Sequence, residues 1–286
     1  MMGSMTTTIA IANQKGGVAK TTTVASLGAA LVELGNRVLL VDLDPQACLT
    51  FSLGIDPEDL ELSIHHVLTK NLPVAEVIVQ TEDGVDLLPA TIELARAEAD
   101  LLTRTGREHA VKVALDELGE TYDWILLDCP PSFNTLAQCA LIASDRFIVP
   151  AVPHFLAFDG IQPLIEASAR LAGRFGRSSG FLGVLLTMVD NRTKSARTQA
   201  TLLREKLGDK VFDCEIPVNV RLAEAPESGQ TIFHWFPQAA GAHAYRLAAV
   251  ELLHRTGQEP LEPSAQEATG EAAARPAAAP AASDWR

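Results

Sequence analysis

The sequence predicts a doubly wound α/β fold, a mostly parallel sheet with helices on both faces. Three observations lead there. Short, nearly continuous apolar runs alternate with stretches of helical period, as expected when strands are covered on both faces. The segments that follow several of these runs carry glycine, lysine or aspartate, and ligands of such sheets bind at the carboxyl ends of the strands. The chain has 286 residues, 47% of them apolar and 21% charged, which is ample material for one large core.

The strands are predicted at 9–12, 38–41, 85–89, 124–127, 146–152, 181–188 and 211–216. Helical period marks 21–34, 92–102, 108–118, 160–172 and 196–207, and a last helix over 242–254 closes the body. Residues 1–8 read as an N-terminal extension without the apolar region of a secretory signal, and 9–256 as the folded domain. In 257–286, ten of thirty residues are Ala and four are Pro, with Leu261 and Trp285 the only large apolar side chains. Such a segment buries too little to offset its ordering entropy, so a disordered tail is expected, inert unless Trp285 anchors a partner.

The formal charge is −13, which argues against a surface that grips nucleic acid or anionic lipid all over. Residues 192–221 run the other way, with seven basic side chains against four acidic ones. Cys48, Cys129, Cys139 and Cys214 are widely spaced, and neither they nor the seven histidines show a zinc motif. No apolar run is long enough for a membrane span.

The first strand runs into Asn13-Gln14-Lys15-Gly16-Gly17-Val18-Ala19-Lys20-Thr21-Thr22, and then a helix begins. Two glycines let a backbone fold around an anion with successive N–H groups turned inward, and the helix start adds its positive dipole end. Lys20 is placed to reach β- and γ-phosphates and Thr21 to ligate magnesium. Gln14 and Ala19 occupy the two outer glycine positions of the strict G-x-x-x-x-G-K-[ST] pattern. Two acidic segments follow later strands: Asp42-Leu43-Asp44-Pro45-Gln46 and Asp128-Cys129-Pro130-Pro131-Ser132.

The Lys15–Thr21 segment resembles the deviant Walker A loop of the ParA/MinD ATPase superfamily, within the P-loop NTPase fold. The resemblance implies that Lys15 is a second, signature lysine that contacts the nucleotide of a partner subunit. It makes residues 15–22 (Lys15, Gly16, Gly17, Val18, Ala19, Lys20, Thr21, Thr22) the phosphate cradle, with ATP and Mg²⁺ as ligands. That family often has glycine at the position of Ala19, whose methyl group is tolerated if the backbone has helix-like angles. Asp42-x-Asp44-Pro45-Gln46 resembles a switch motif in which Asp44 orients the attacking water and Asp42 supports the magnesium shell. Asp128 matches a Walker B aspartate that holds magnesium through water.

The resemblance runs from about residue 8 to 255 and favours the ParA branch, in a small form without an N-terminal helix-turn-helix domain. The stretch from Thr187 to Thr193 is similar to the family's T-M-x-D-x-R-T segment. Ile216-Pro217-Val218-Asn219-Val220-Arg221 is similar to its I-P-R-N-V-R segment. Pro217 and Asn219 are then expected beside the adenine, and Arg192 and Arg221, with Lys194 and Arg197 nearby, on DNA phosphates. Val218, Gln230 and His234 stand where many relatives are basic, which implies fewer phosphate contacts and stronger salt sensitivity. The family's behaviour implies a cytoplasmic, nucleoid-associated positioning ATPase. It dimerises with ATP, binds nonspecific DNA and is stimulated by a ParB-like or adaptor protein on its cargo. A MinD-like membrane regulator needs a basic amphipathic C-terminal helix that the acidic tail lacks. Iron–sulfur relatives need paired cysteines, and the tyrosine-kinase branch needs a tyrosine cluster. A binding module stabilised by nucleotide without turnover is disfavoured by Asp44.

Overall fold

Five β-rich residues, Thr7–Ile11, form the first strand (β1), which begins two residues before its predicted start. The computed structural model describes residues 6–154, 157–176 and 179–259. The expectations for residues 1–5 and for the tail from 260 onward, Trp285 included, lie outside them. After β1 come α1 (Lys20–Glu33), β2 (Val38–Asp42), α2 (Cys48–Ser52), α3 (Ile64–Lys70), β3 (Val79–Gln80) and β4 (Asp86–Leu88). The middle holds α4 (Leu94–Leu102), α5 (Ala110–Asp116), β5 (Trp124–Asp128), α6 (Thr135–Ala143), β6 (Arg146–Ala151) and α7 (Ala157–Phe175). The chain continues through β7 (Gly180–Val189), α8 (Lys194–Leu207), β8 (Val211–Pro217), α9 (Val220–Glu224), α10 (Ile232–Trp235) and α11 (Ala240–Thr256).

The eight strands lie in the order β3-β4-β2-β5-β1-β6-β7-β8, all parallel except the short β3, which runs antiparallel to β4 at the edge. Strict alternation along the central strands divides the core between the two faces. Ala10, Leu39, Val41, Ile125 and Leu127 enter the cluster that also takes residues of α3 to α8. Ile9, Ile11, Val38, Leu40, Trp124 and Leu126 enter the opposite one, with α1 and α11. Every residue of β2 and β5 is buried, which is why these strands read as unbroken apolar runs. Gly28 lets α1 sit down on β2: a Cβ there would lie 2.6 Å from Leu40 Cδ2.

The doubly wound class and all seven predicted strands are present, with ends shifted by a few residues. Five helices and the two-residue β3 lie outside the predicted segments: α2, α3, α9, α10 and β3 are too short to display a period, and α6 is buried at eight of its nine residues, so it has no polar face to mark one. Among the described residues no helix is long and apolar enough to cross a membrane.

Candidate active site

Because β2, β5 and β1 are neighbours, their carboxyl ends lie side by side. The register pairs Asp42 with Asp128 and Asp128 with Ile11, two residues before the phosphate-loop candidate. Two acidic segments separated by more than eighty residues of sequence are thereby brought against the glycine-rich loop.

The loop is pinned at its entry. Asn13 is buried, donates from Nδ2 to the Pro150 carbonyl on β6 (2.8 Å) and accepts the Lys15 N–H at Oδ1 (2.9 Å). Gly16 and Gly17 face open space where a Cβ would meet nothing, and Gly17 has φ +70°. At the exit Ala19 has φ 61° and ψ 37°. The helix-like angles that would accommodate its methyl group are therefore absent: the backbone is left-handed, which costs an L-residue about 1–2 kcal/mol. Ala47, just beyond the first acidic segment, and Met188, at the end of β7, adopt the same conformation (φ 51° each). Three left-handed non-glycine residues thus stand around one site, at two helix starts and a strand end, a pattern of stored backbone strain associated with functional positions.

Lys20 is buried, and its Nζ donates to the Lys15 carbonyl (3.2 Å), so the ammonium is folded back over the loop. The Thr21 hydroxyl donates to Asp128 Oδ2 (2.7 Å). Asp128 Oδ1 is equally buried and has no hydrogen-bond partner. Burial, followed by the nearby Asp42 carboxylate, raises the Asp128 pKa well above the usual range against the opposing pull of Thr21 and Lys20. An orphaned carboxylate oxygen beside a threonine hydroxyl is the donor set of a hard, oxygen-seeking cation, so the residues present fit magnesium.

Asp42 is fully buried and both its oxygens are occupied. Oδ1 accepts the Asp44 N–H (3.1 Å), and Oδ2 accepts the N–H and hydroxyl of Thr50 (2.9 and 2.8 Å). Burial raises its pKa to about 6 despite these bonds. Asp42 therefore shapes the segment that carries Asp44. Asp44 itself is half-buried and accepts the Gln46 N–H at Oδ1 (3.0 Å). Nothing in the sequence singled out Asn13 or Thr50; only the tertiary contacts identify them.

On the other side of the loop a cavity of about 490 Å³ is lined by Gly17, Ala19, Thr22, Met188, Pro217 and Asn219, among others. Asn219 Oδ1 caps α9 by accepting the Arg221 N–H (2.9 Å). A buried hydroxyl joins this side to the loop: Thr187, on β7, donates to the Val18 carbonyl (3.1 Å). The Lys15 stem packs on α7, where a Cβ on Gly160 would lie 3.2 Å from its Cε.

The predicted basic residues stand at the ends of β7 and β8, joined by the Val218 N–H to Val189 carbonyl bond (3.2 Å). Arg192 grips Asp190 with two nitrogens (2.8 and 3.1 Å), and Arg197 donates to the Asn191 carbonyl (2.7 Å). Lys194 opens α8 beside them. Arg221 donates to Glu224 (2.6 Å) and lies over the Phe236 ring, 4.9 Å from its centroid. The face around them includes exposed Val218 and Val220.

A glycine-lined anion cradle after the first parallel strand, with a lysine, a threonine and aspartates from adjoining strand ends, defines a P-loop nucleoside triphosphatase. A family described as AAA domain matches residues 6–177. The sporulation initiation inhibitor protein Soj of Bacillus subtilis is 40% identical over 245 residues, 85% of this chain and 97% of that protein. The chromosome-partitioning ATPase Soj of Thermus thermophilus is 43% identical over 247 residues, 86% of this chain and 95% of that one. The crystal structure of cobyrinic acid a,c-diamide synthase from Mycobacterium smegmatis, with bound ATP analog and magnesium, superposes with a TM-score of 0.77. It is 41% identical and covers 90% of this chain and 100% of its own. The chain belongs to the ParA/MinD family of P-loop ATPases, a family of partitioning and positioning proteins.

Proposed function

We propose that this chain is a ParA-type positioning ATPase that pairs with a second copy when ATP is bound, holds nonspecific DNA and hydrolyses ATP under the control of a cargo-linked partner. The observation that carries the reading is the strand register that sets Thr21, Asp128 and Asp42 around one glycine-lined cradle. The loop N–H groups and Lys20 would bind the β- and γ-phosphates, with the adenine in the cavity between Ala19 and Pro217. Thr21 and Asp128, with Asp42 behind them, would hold magnesium, which supplies charge neutralisation at the phosphates. Asp44 orients a water for in-line attack: its oxygen bonds to the γ-phosphorus as the bond to the bridging β–γ oxygen breaks. Lys15 would leave its rest on α7 to reach the nucleotide of the partner subunit, coupling phosphate charge to pairing. Arg192, Lys194, Arg197 and Arg221 would meet DNA phosphates.

Asp44→Ala tests this reading. Nucleotide binding should persist while steady-state phosphate release falls by about 100-fold, and the variant should sediment with DNA as an ATP-bound dimer. Turnover at the parent rate would remove Asp44 from the role. A second reading follows from the name of the Mycobacterium smegmatis protein, ATP-driven amide formation. ATP consumption that depended on added cobyrinic acid would favour it.

A further inference from the structure

β7 departs from regular strand geometry at its carboxyl end. Leu186 pairs with Glu215 and Val189 with Pro217, so three steps along β7 run beside two along β8. The extra residue makes a β-bulge, a device that re-aims a side chain and is common beside active sites. Met188 lies inside this bulge with φ 51°, the left-handed region that a bulky L-residue enters only at a cost. Its neighbour Thr187 stays fully buried and donates to the Val18 carbonyl (3.1 Å). Met188 itself is 44% exposed and lines the cavity beside the phosphate loop.

The cavity offers contact rather than a hydrogen-bonding code. The Tyr245 hydroxyl on its wall is committed to Thr23 (3.0 Å), and Asn219 Oδ1 accepts the Arg221 N–H. Ile216, Val218, Val220 and Leu222 line much of the remainder. Gly17, Ala19 and Thr22 belong both to this wall and to the phosphate cradle, so a group seated here is one joined to a phosphate chain. A flat, weakly polar ring on a phosphate chain is a nucleobase. Methionine suits such a ring, because its side chain is long and unbranched and its polarisable sulfur packs favourably on aromatic groups.

We propose that Met188 holds the nucleobase, with the bulge directing its thioether against the ring and the backbone strain retained for that contact. This role presupposes the nucleotide site proposed above, and the resemblance of Thr187–Thr193 to a family segment assigns Met188 none. A methyl-sulfur contact in a strand bulge has no local sequence signature, since neither the register of β7 on β8 nor the sign of φ is written in the residues around it.

The test uses the full chain. Met1, Met2 and Met5 are the other methionines, so with methyl-¹³C methionine the Met188 signal is identified by its loss in Met188→Gly. Titration with Mg²⁺ and ADP should move that signal upfield, the ring-current effect of an aromatic face. Mg²⁺ and pyrophosphate, which bring phosphates without a base, should leave it in place. By calorimetry, Met188→Gly, with its fold confirmed by circular dichroism, should bind ADP about three- to tenfold more weakly and pyrophosphate as the parent does. A methyl signal that ADP leaves in place, or that pyrophosphate moves as far as ADP does, overturns the contact. So does folded Met188→Gly that binds ADP as tightly as the parent, or that loses ADP and pyrophosphate alike, which would assign the effect to the loop. A parent chain that binds ADP no more tightly than pyrophosphate would instead remove the base cavity itself, and the role of Met188 with it.

Discussion

The phosphate end and the basic face of this molecule are built to opposite standards. Around the loop, every functional side chain is buried or half-buried and most are held by neighbours: Thr21 by Asp128, Asp42 by Thr50 and Asp44, and the loop itself by Asn13 and Thr187. At the ends of β7 and β8 the arginines are exposed and already neutralised by carboxylates two or three residues away. Such surface pairs contribute little stability and separate readily. The side chains of the phosphate end are thus fixed by the protein's own contacts, while the charge available for a polyanion at the basic face is partly cancelled by Asp190 and Glu224.

The sharpest way to break the contrast is at Lys20. Lys20→Ala should reduce ATP turnover by more than about 100-fold, measured by steady-state phosphate release, because a buried charge at the phosphates is lost. Comparable turnover would mean that the loop amides suffice alone.

A second effect belongs to the Asp42–Asp128 pair. Both folded pKa values lie above the unfolded ones, so the folded chain binds more protons, and stability should fall as pH rises from about 4 through 6. The shift of Asp42 from 3.8 to about 6 corresponds to a loss on the order of 3 kcal/mol across that window. Urea midpoints at pH 4.5 and 7 without divalent cation measure it, and Asp128→Asn should flatten the slope. A parent slope of zero would show that the pair is not desolvated.

On the basic face the effects are smaller. Arg221→Glu should weaken DNA binding by about tenfold at moderate salt. Glu224→Gln should strengthen it about two- to threefold by freeing the arginine, both read by fluorescence anisotropy. If Glu224→Gln has no effect, the pair does not restrain Arg221. The smallest change is at the loop exit. Ala19→Gly relieves a left-handed alanine but loosens the unfolded chain, for a net gain of about 0.5–1 kcal/mol in thermal melts.

Much of this was legible in the sequence. Unbroken apolar runs marked the covered strands, and the segments after them displayed Lys20, Thr21, Asp42, Asp44 and Asp128 in working order. Register was not legible: no local pattern states that Asp42 will lie opposite Asp128, or that Thr50 will close over it. Nor was the geometry at Ala19, since a single methyl group carries no signal of the sign of φ. The charge excess in 192–221 was visible, but the self-pairing of Arg192 and Arg221 depends on rotamers that a count of charges does not contain.

The hydroxyl of Thr187 has a consequence of its own. It is a buried bond between the Val18 carbonyl and the strand whose end carries Asp190 and Arg192, and breaking it without replacement would cost about 1–3 kcal/mol. Movement on either side is therefore felt on the other. Thermodynamic linkage makes such a joint symmetric: whatever factor nucleotide adds to the grip on DNA through Thr187, DNA returns to the grip on nucleotide. Under the proposed function, DNA at the basic face would then tighten nucleotide binding at equilibrium with no direct contact between the two ligands.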